Sequence, residues 1–241
     1  MCSLYYTQPL LNEPLWDVTN MKASPLWAVL AGMVIGGCTA YASANFLDMS
    51  ERVFSMVEQK YDAAARKRVE AWHELMVEAS ANSEQSDLDK AVIANDFFNR
   101  LDWVSDLEHW GKEDYWATPL EMLATNGGDC EDFSVGKYFT LNESGVDSEK
   151  LRVTYVKALD YNQAHMVLAY YESPESEPLI LDNINKTILP ASERTDLIPI
   201  YSFNAEGLWL AKFRGRKLSN NEQSLPQWKR LNERMLTELM P

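Results

Sequence analysis

Apolar residues recur at helical spacing through the first part of the chain. Residues 50–81 (SERVFSMVEQKYDAAARKRVEAWHELMVEASA) are rich in helix formers, and Val53, Val57 and Tyr61 follow one another at four-residue steps. This spacing places them on one face and predicts an amphipathic helix over 50–81. After a short polar loop, a second helix is predicted over residues 88–103.

Two shorter helices are predicted from their capping residues. Thr118 is a good N-cap, and Pro119 suits the first helical position; this helix stops at the sequence NGG. The next helix begins after Asp129, whose side chain can cap it, and Asp132 occupies the third helical position of a capping-box-like arrangement. Gly145 supplies its C-terminal stop.

The period of the apolar positions changes to two after Leu151. The segments RVTYVKA, AHMVLAYYE and PLILDN predict successive antiparallel strands, and TDLIPIYSFN and GLWLAKF predict one or two more. A closing helix is predicted over residues 224–240. Helices followed by an antiparallel sheet indicate the α+β fold class.

Composition and charge narrow the function classes. The 241 residues are 46% hydrophobic, which is enough for one well-packed domain. The 36 acidic and 22 basic residues give a net charge of −14, which argues against binding to the phosphate backbone of nucleic acids. We therefore expect no nucleic-acid partner.

The N-terminal residues have the layout of a secretory signal. Lys22 precedes a mostly apolar run, and Ala42-Ser43-Ala44 matches a signal-peptidase site. Residues 21–44 are therefore predicted to be a signal peptide, and 1–20, which lack Lys and Arg, an over-extended start. Two alternatives are an ordinary disordered tail before a membrane anchor, and a lipoprotein box that would leave Cys38 lipidated. The predicted mature chain, 45–241, is a single domain without a membrane span.

The mature chain would keep a single cysteine, Cys130, in the sequence NGGDCEDFSVGKY. Its acidic neighbours Asp129 and Glu131 oppose the thiolate, which is the reactive form of cysteine. Its place in the first turn of a helix favours the thiolate. Cys130 is therefore either an inert buried side chain, or a reactive one with a cation beside it.

A base and an orienting carboxylate are available on the predicted strands. His165 lies in AHMVLAYY, and Asp182 ends the apolar run LIL. Taken alone, the first reads as a core histidine and the second as a turn former. Together with Cys130 they form the set that a cysteine nucleophile needs: a base for the thiol proton and a carboxylate that holds the imidazole.

The motifs WATPLE, GDCEDFSVGKY, AHMVL and LDN resemble those of the bacterial transglutaminase-like cysteine proteinases, the LapG-type periplasmic proteases. The resemblance covers about residues 48–213 and implies a papain/transglutaminase-like fold, with the nucleophile helix packed on the sheet. It also implies Cys130 as nucleophile, His165 as general base and Asp182 as the orienting group.

The resemblance further implies a calcium ion held by Asp129 and Glu131, which would offset the charge around Cys130. The other calcium ligands stay open, with Asp114 as one candidate. The Cys130 main-chain N–H is the expected oxyanion donor, and Trp116 a second candidate for that role.

Members of this family cleave large repetitive surface adhesins near the N-terminal end and so control biofilm release. An inner-membrane receptor that responds to cyclic di-GMP sequesters the protease. The resemblance therefore implies a calcium-dependent periplasmic endopeptidase. Two alternatives remain: an acyl-transfer or cell-wall peptide-cleaving enzyme with the same three residues, and a non-catalytic calcium-binding interaction module.

Overall fold

The computed structural model describes residues 45–173, 175–205, 207–210, 216–219 and 225–240. The predicted start 1–20, the predicted signal 21–44 and Cys38 lie outside these residues. The single-domain organisation of 45–241 stays a prediction. Within the described part of the chain, no helix is long and apolar enough to cross a membrane.

Helices fill the first half of the described chain, and one helix closes it. They are α1 (Glu51–Lys60), α2 (Ala63–Ala81), α3 (Asp87–Phe98), α4 (Asp106–Trp110), α5 (Pro119–Thr125), α6 (Cys130–Glu143) and α7 (Pro226–Leu239). Thr118 caps α5 by accepting a hydrogen bond from the Glu121 N–H at 3.1 Å, and Asp129 is the N-cap residue of α6. The two starts predicted from capping residues are confirmed.

The prediction of a single helix over 50–81 is wrong, because the helix is interrupted between Lys60, the end of α1, and Ala63, the start of α2. Asp62 adopts an extended backbone, and its side chain accepts a hydrogen bond from the Ala65 N–H at 2.6 Å. A carboxylate that caps a helix satisfies N–H groups that would otherwise lack partners. Asp62 therefore starts a new helix inside a segment whose composition favours a continuous one.

The helix predicted over 88–103 also ends early, at Phe98. Asp102–Trp103 instead form a short strand, β1, which pairs in parallel with β2 (Gly127–Gly128). The Asp102 N–H donates to the Asn126 carbonyl at 3.0 Å, and the Val104 N–H donates to the Gly128 carbonyl at 2.9 Å. This pairing brings Trp103 next to the start of α6.

The remaining described strands form one antiparallel sheet of seven strands, in the order β6-β5-β4-β3-β7-β8-β9. They are β3 (Leu151–Ala158), β4 (Gln163–Tyr170), β5 (Leu179–Leu181), β6 (Leu189–Pro190), β7 (Leu197–Asn204), β8 (Gly207–Leu210) and β9 (Arg216–Ser219). The α+β prediction is confirmed, and among the described strands the sequence analysis missed β1, β2, β6 and β9.

Helix α6 lies at the centre of the core, between α3 and the sheet. Gly136 faces the Phe98 ring so closely that a β-carbon there would collide with it. On another side, Phe139 stacks on Trp228 of α7, with ring centroids 5.3 Å apart. Helix α6 is buried along nearly its whole length and packs on β4, so its first residue lies inside the core.

Candidate active site

Cys130 is the first residue of α6 and is only 2% exposed. The turn before it is fixed by Asp132, whose Oδ2 accepts a hydrogen bond from the Asp129 N–H at 3.2 Å. Gly128 is required there, because a β-carbon would lie 2.5 Å from the same carboxylate oxygen. The Cys130 sulfur therefore lies at the N-terminus of a buried helix, where the helix dipole favours negative charge.

Cys130 and His165 line the same cavity, which has a volume of about 380 Å³. Trp103, Tyr161 and Ile184 form part of its wall, and all three are more than 40% exposed. The cavity is thus open to solvent and flanked by apolar side chains. Such a surface suits a segment of another polypeptide better than a small charged ligand.

His165 lies on β4, and Asp182 directly follows the neighbouring strand β5. His165 Nε2 is 2.7 Å from Asp182 Oδ1, and both side chains are buried. The pairing of Leu168 with Leu181 sets the register that brings them together. The structure therefore places the predicted base and the predicted orienting group in direct contact.

Asp182 is a carboxylate held from several sides. Its Oδ1 also accepts a hydrogen bond from the Ile184 N–H at 3.0 Å, and its Oδ2 accepts one from Arg194 at 2.8 Å. Burial alone would raise the pKa of Asp182, but the contacts with His165, Ile184 and Arg194 outweigh it and lower the pKa below its usual range. An ionised Asp182 can only accept, so His165 Nε2 carries the proton and Nδ1 is left as the basic nitrogen.

Beside Cys130 lies a cluster of five acidic residues: Asp106, Asp114, Asp129, Glu131 and Asp132. Within this cluster, three-residue groups have ligand oxygens that all lie within 4.8 Å of one another. Glu131 Oε2 is also 3.1 Å from the Cys130 sulfur. The two predicted metal ligands, Asp129 and Glu131, thus both belong to this cluster.

Burial and mutual repulsion disfavour the ionised forms of the buried carboxyl groups in this cluster. Burial, reinforced by the charge of Asp129, raises the pKa of Glu131 and Asp132 well above their usual values, and burial likewise raises the pKa of Asp129. Burial and Asp129 together raise the pKa of Asp106 to about 7. Oδ1 of Asp106 and Oδ1 of Asp129 are buried without a hydrogen-bond partner among the described residues. Converging carboxylate oxygens with unsatisfied lone pairs fit a hard divalent cation such as Ca²⁺.

The sequence analysis missed several residues of this site. Asp106 lies in a short helix, α4, that the sequence analysis did not predict, and no spacing rule links it to Asp129. Asp132 reads in the sequence only as a capping residue. Arg194 lies in a segment with no recognisable motif. Trp116, the second candidate for an oxyanion donor, directs its indole N–H to Asp114 Oδ1 at 3.1 Å.

Comparison with known proteins identifies the family. The family model described as bacterial transglutaminase-like cysteine proteinase matches residues 46–210. EGTA-treated LapG of Legionella pneumophila is 44% identical, with a TM-score of 0.67 over 77% of this chain and 96% of that one. Calcium-bound LapG of the same organism is also 44% identical, with a TM-score of 0.65 over 77% and 98%. No curated protein matches the chain.

The family match spans the helices α1 to α6 and the strands through β8, including every residue of the site described above. The resemblance noted in the motifs around Cys130, His165 and Asp182 is confirmed. The chain belongs to the bacterial transglutaminase-like cysteine proteinases.

Proposed function

We propose that the protein is a calcium-dependent periplasmic cysteine endopeptidase in which Cys130, His165 and Asp182 form the catalytic triad. The observation that carries this proposal is the 2.7 Å contact between Asp182 and His165, which lines the same cavity as Cys130. A nucleophile at a helix N-terminus, a neutral imidazole and an ionised carboxylate are the parts that acyl transfer requires.

In the first half of the reaction, His165 Nδ1 takes the proton of the Cys130 thiol, and the sulfur attacks the carbonyl carbon of the scissile peptide. The Cys130 N–H, at the open start of α6, donates to the oxygen that becomes negative. His165 then passes its proton to the leaving amine as the C–N bond breaks. An acyl-enzyme on Cys130 remains.

In the second half, His165 Nδ1 takes a proton from a water molecule, whose oxygen attacks the acyl carbon. The C–S bond breaks, the carboxylic acid leaves, and the proton returns to the Cys130 sulfur. Asp182 stays ionised throughout and stabilises the imidazolium form of His165.

Asp129 and Glu131, with Asp106 and Asp132, would hold the calcium ion. Calcium supplies positive charge that offsets these carboxylates, which otherwise disfavour the thiolate of Cys130. One of the similar solved structures is LapG in a calcium-bound form, which supports this assignment. The charge argument applies to this chain independently, because the acidic cluster directly contacts the Cys130 sulfur.

We further propose that the substrate is a large repetitive surface adhesin, cut near its N-terminal end to release cells from a biofilm. An inner-membrane cyclic di-GMP receptor would bind the protease and withhold it from the adhesin. The family membership and the predicted signal at 21–44 support these assignments. A cavity bordered by exposed Trp103, Tyr161 and Ile184 is compatible with a polypeptide substrate.

The test is cleavage of the N-terminal portion of a large repetitive adhesin from the same organism. The protein is incubated with it in calcium, in a calcium chelator, and as Cys130→Ala in calcium. Cleavage by the wild type in calcium alone would support the proposal in full. Cleavage that persists in chelator would refute the calcium requirement. Cleavage by a folded Cys130→Ala variant, or none by the wild type, would refute the endopeptidase.

A further inference from the structure

Lys137 places an amine in the middle of the core. It lies in α6 and is only 1% exposed. Its Nζ donates to the Asp182 carbonyl oxygen at 3.1 Å and to Asn99 Oδ1 at 2.9 Å. Both acceptors are neutral groups. Lys137 is therefore tied to the main chain of the residue whose carboxylate holds His165.

Asn99 contacts the same carbonyl from another side. Its Nδ2 donates to the Asp182 carbonyl oxygen at 2.9 Å, and Asn95 Oδ1 accepts from the same amide at 3.1 Å. Asn99 follows α3, so two helices, α3 and α6, converge on one carbonyl group. Such convergence fixes a main-chain position more firmly than one hydrogen bond would.

The Asp182 main chain needs this support. It follows β5, a strand of only three residues, and the chain after it has no helix or strand until β6. Short strands near the margin of a sheet open readily, because few ladder hydrogen bonds hold them. The carboxylate contacts of Asp182 orient its side chain, whereas Lys137 and Asn99 hold its backbone.

Lys137 also lies on the same helix as the nucleophile. It follows Cys130 by seven residues, which is two turns of an α-helix and about 10 Å along its axis. The two side chains therefore lie on the same face of α6. One end of that face carries the sulfur, and the other end carries the contact to Asp182.

From these contacts we propose that Lys137 is a positioning residue for the triad: by binding the Asp182 carbonyl to α6, it sets the His165–Asp182 pair at a fixed distance from Cys130. The inference rests on the proposed endopeptidase function and assigns Lys137 no contact with substrate. Asn99, which donates to the same carbonyl, has the same positioning role.

The energetics favour a role in the site over a role in stability. Burial lowers the pKa of Lys137 to about 7, so its ammonium form is disfavoured in the folded protein. Lys137→Met leaves no unpaired charge in the core, and its cost in stability is limited to one lost donor at Asn99 Oδ1 and one at the Asp182 carbonyl, which still accepts from Asn99. Loss of stability and loss of activity should therefore separate in Lys137→Met.

The experiment compares Lys137→Met with Lys90→Met in the whole protein. Lys90 is a matched control, because its Nζ also donates to a main-chain carbonyl, that of Ser144 at the other end of α6, at 2.7 Å. We expect Lys137→Met to lower kcat for adhesin cleavage at least tenfold, with KM within twofold and the protein still folded at the assay temperature. Lys90→Met should leave kcat within twofold. A kcat for Lys137→Met within twofold of wild type would overturn the proposal.

A second readout does not depend on cleavage. The ring N–H proton of His165 that is bonded to Asp182 is followed by NMR in the wild type and both variants, and assigned with His165→Gln. We expect this resonance to shift or broaden in Lys137→Met and to be unchanged in Lys90→Met. An unchanged resonance in Lys137→Met would overturn the proposal even if kcat fell. If the wild type cleaves no adhesin, this readout still tests Lys137 while the endopeptidase proposal fails.

Asn99→Ala, alone and combined with Lys137→Met, provides a further test if Lys137→Met folds poorly. Asn99→Ala removes the other donor to the same carbonyl and should also lower kcat. Because both residues act through Asp182, the double variant should lose little more activity than the more damaged single variant. Multiplicative losses would indicate independent damage and would overturn the shared role.

Discussion

Arg194 Nη2 lies 2.8 Å from Asp182 Oδ2, the carboxylate oxygen opposite the one that faces His165. The same guanidinium also binds Asp196, whose oxygens lie 2.9 Å from Arg194 Nε and 2.7 Å from Nη2. Arg194 and Asp182 are both nearly inaccessible to solvent. The carboxylate that orients the proposed base is thus clamped on its second oxygen by a buried cation, and it cannot rotate away from His165 without breaking an ion pair.

Asp182→Asn should nearly abolish cleavage while leaving the fold intact. The amide would offer an N–H toward His165 or hold the wrong tautomer of the ring, so kcat should fall by on the order of 10³–10⁴. Asp196→Asn is the control, because it loses a contact with Arg194 but not with His165, and it should stay within about fivefold. The measurement is the steady-state cleavage rate of each variant. An equal decrease in kcat in both variants would argue against a specific role for Asp182.

Asp106→Asn should weaken calcium binding by at least about tenfold, although Asp106 lies far from Asp129 in sequence. It removes one buried carboxylate from the cluster around Cys130. Glu108→Gln, an exposed acid of the same short helix, serves as the control and should bind calcium like the wild type. Isothermal titration calorimetry gives both affinities. Equal affinities would exclude Asp106 from the site.

Calcium affinity should increase from pH 6 to pH 8. Without calcium, burial and Asp129 raise the pKa of Asp106 to about 7, so this group holds a proton at pH 6 that calcium must displace. The sign for stability follows from the same shift. A carboxyl whose pKa is raised on folding stabilises the calcium-free protein at low pH, and this contribution is lost as pH rises toward 7.

The measurements are the calcium dissociation constant and the chelator-induced drop in melting temperature at both pH values. Both the affinity and the drop should be larger at pH 8, and Asp106→Asn should reduce the dependence. A calcium affinity that is independent of pH would contradict proton displacement from the cluster.

Gly136→Ala should destabilise the protein even though alanine favours helices. The added methyl group would collide with the Phe98 ring, and overpacking of this kind reduces the free energy of unfolding by about 1–3 kcal/mol. In an exposed helix the same change would stabilise by about 1 kcal/mol. Denaturant unfolding measures the difference, and a more stable variant would show that α3 and α6 can separate at this point.

The sequence predicts local features of this protein well. The starts of α5 and α6 follow from Thr118 and Asp129, because a capping residue acts on N–H groups two or three positions away. The strands with alternating or continuous apolar residues are also recovered. The break at Asp62 is missed, since an aspartate among helix formers can equally lie on an exposed helix face.

The long-range parts of the site are less accessible to sequence reasoning. The motifs place Cys130, His165 and Asp182 by resemblance, but nothing in the local pattern brings Asp106 to Asp129 or Arg194 to Asp182. Those contacts arise from how loops pack on the finished core. Lys137 did leave a signal, because it is the one charged residue in the stretch 133–141 (FSVGKYFTL). Its partner could not be read from the chain.

Because β5 is short, heating should disrupt the proposed active site near this strand first. Asp182 follows a strand of three residues whose outer neighbour, β6, has only two, whereas Cys130 begins a helix buried along nearly its whole length. The first part of the proposed triad to be released should therefore be its carboxylate, through a local opening near the margin of the sheet. Inactivation should begin at temperatures where the bulk of the molecule is still folded, and amide protons of β5 should exchange with solvent well before those of α6.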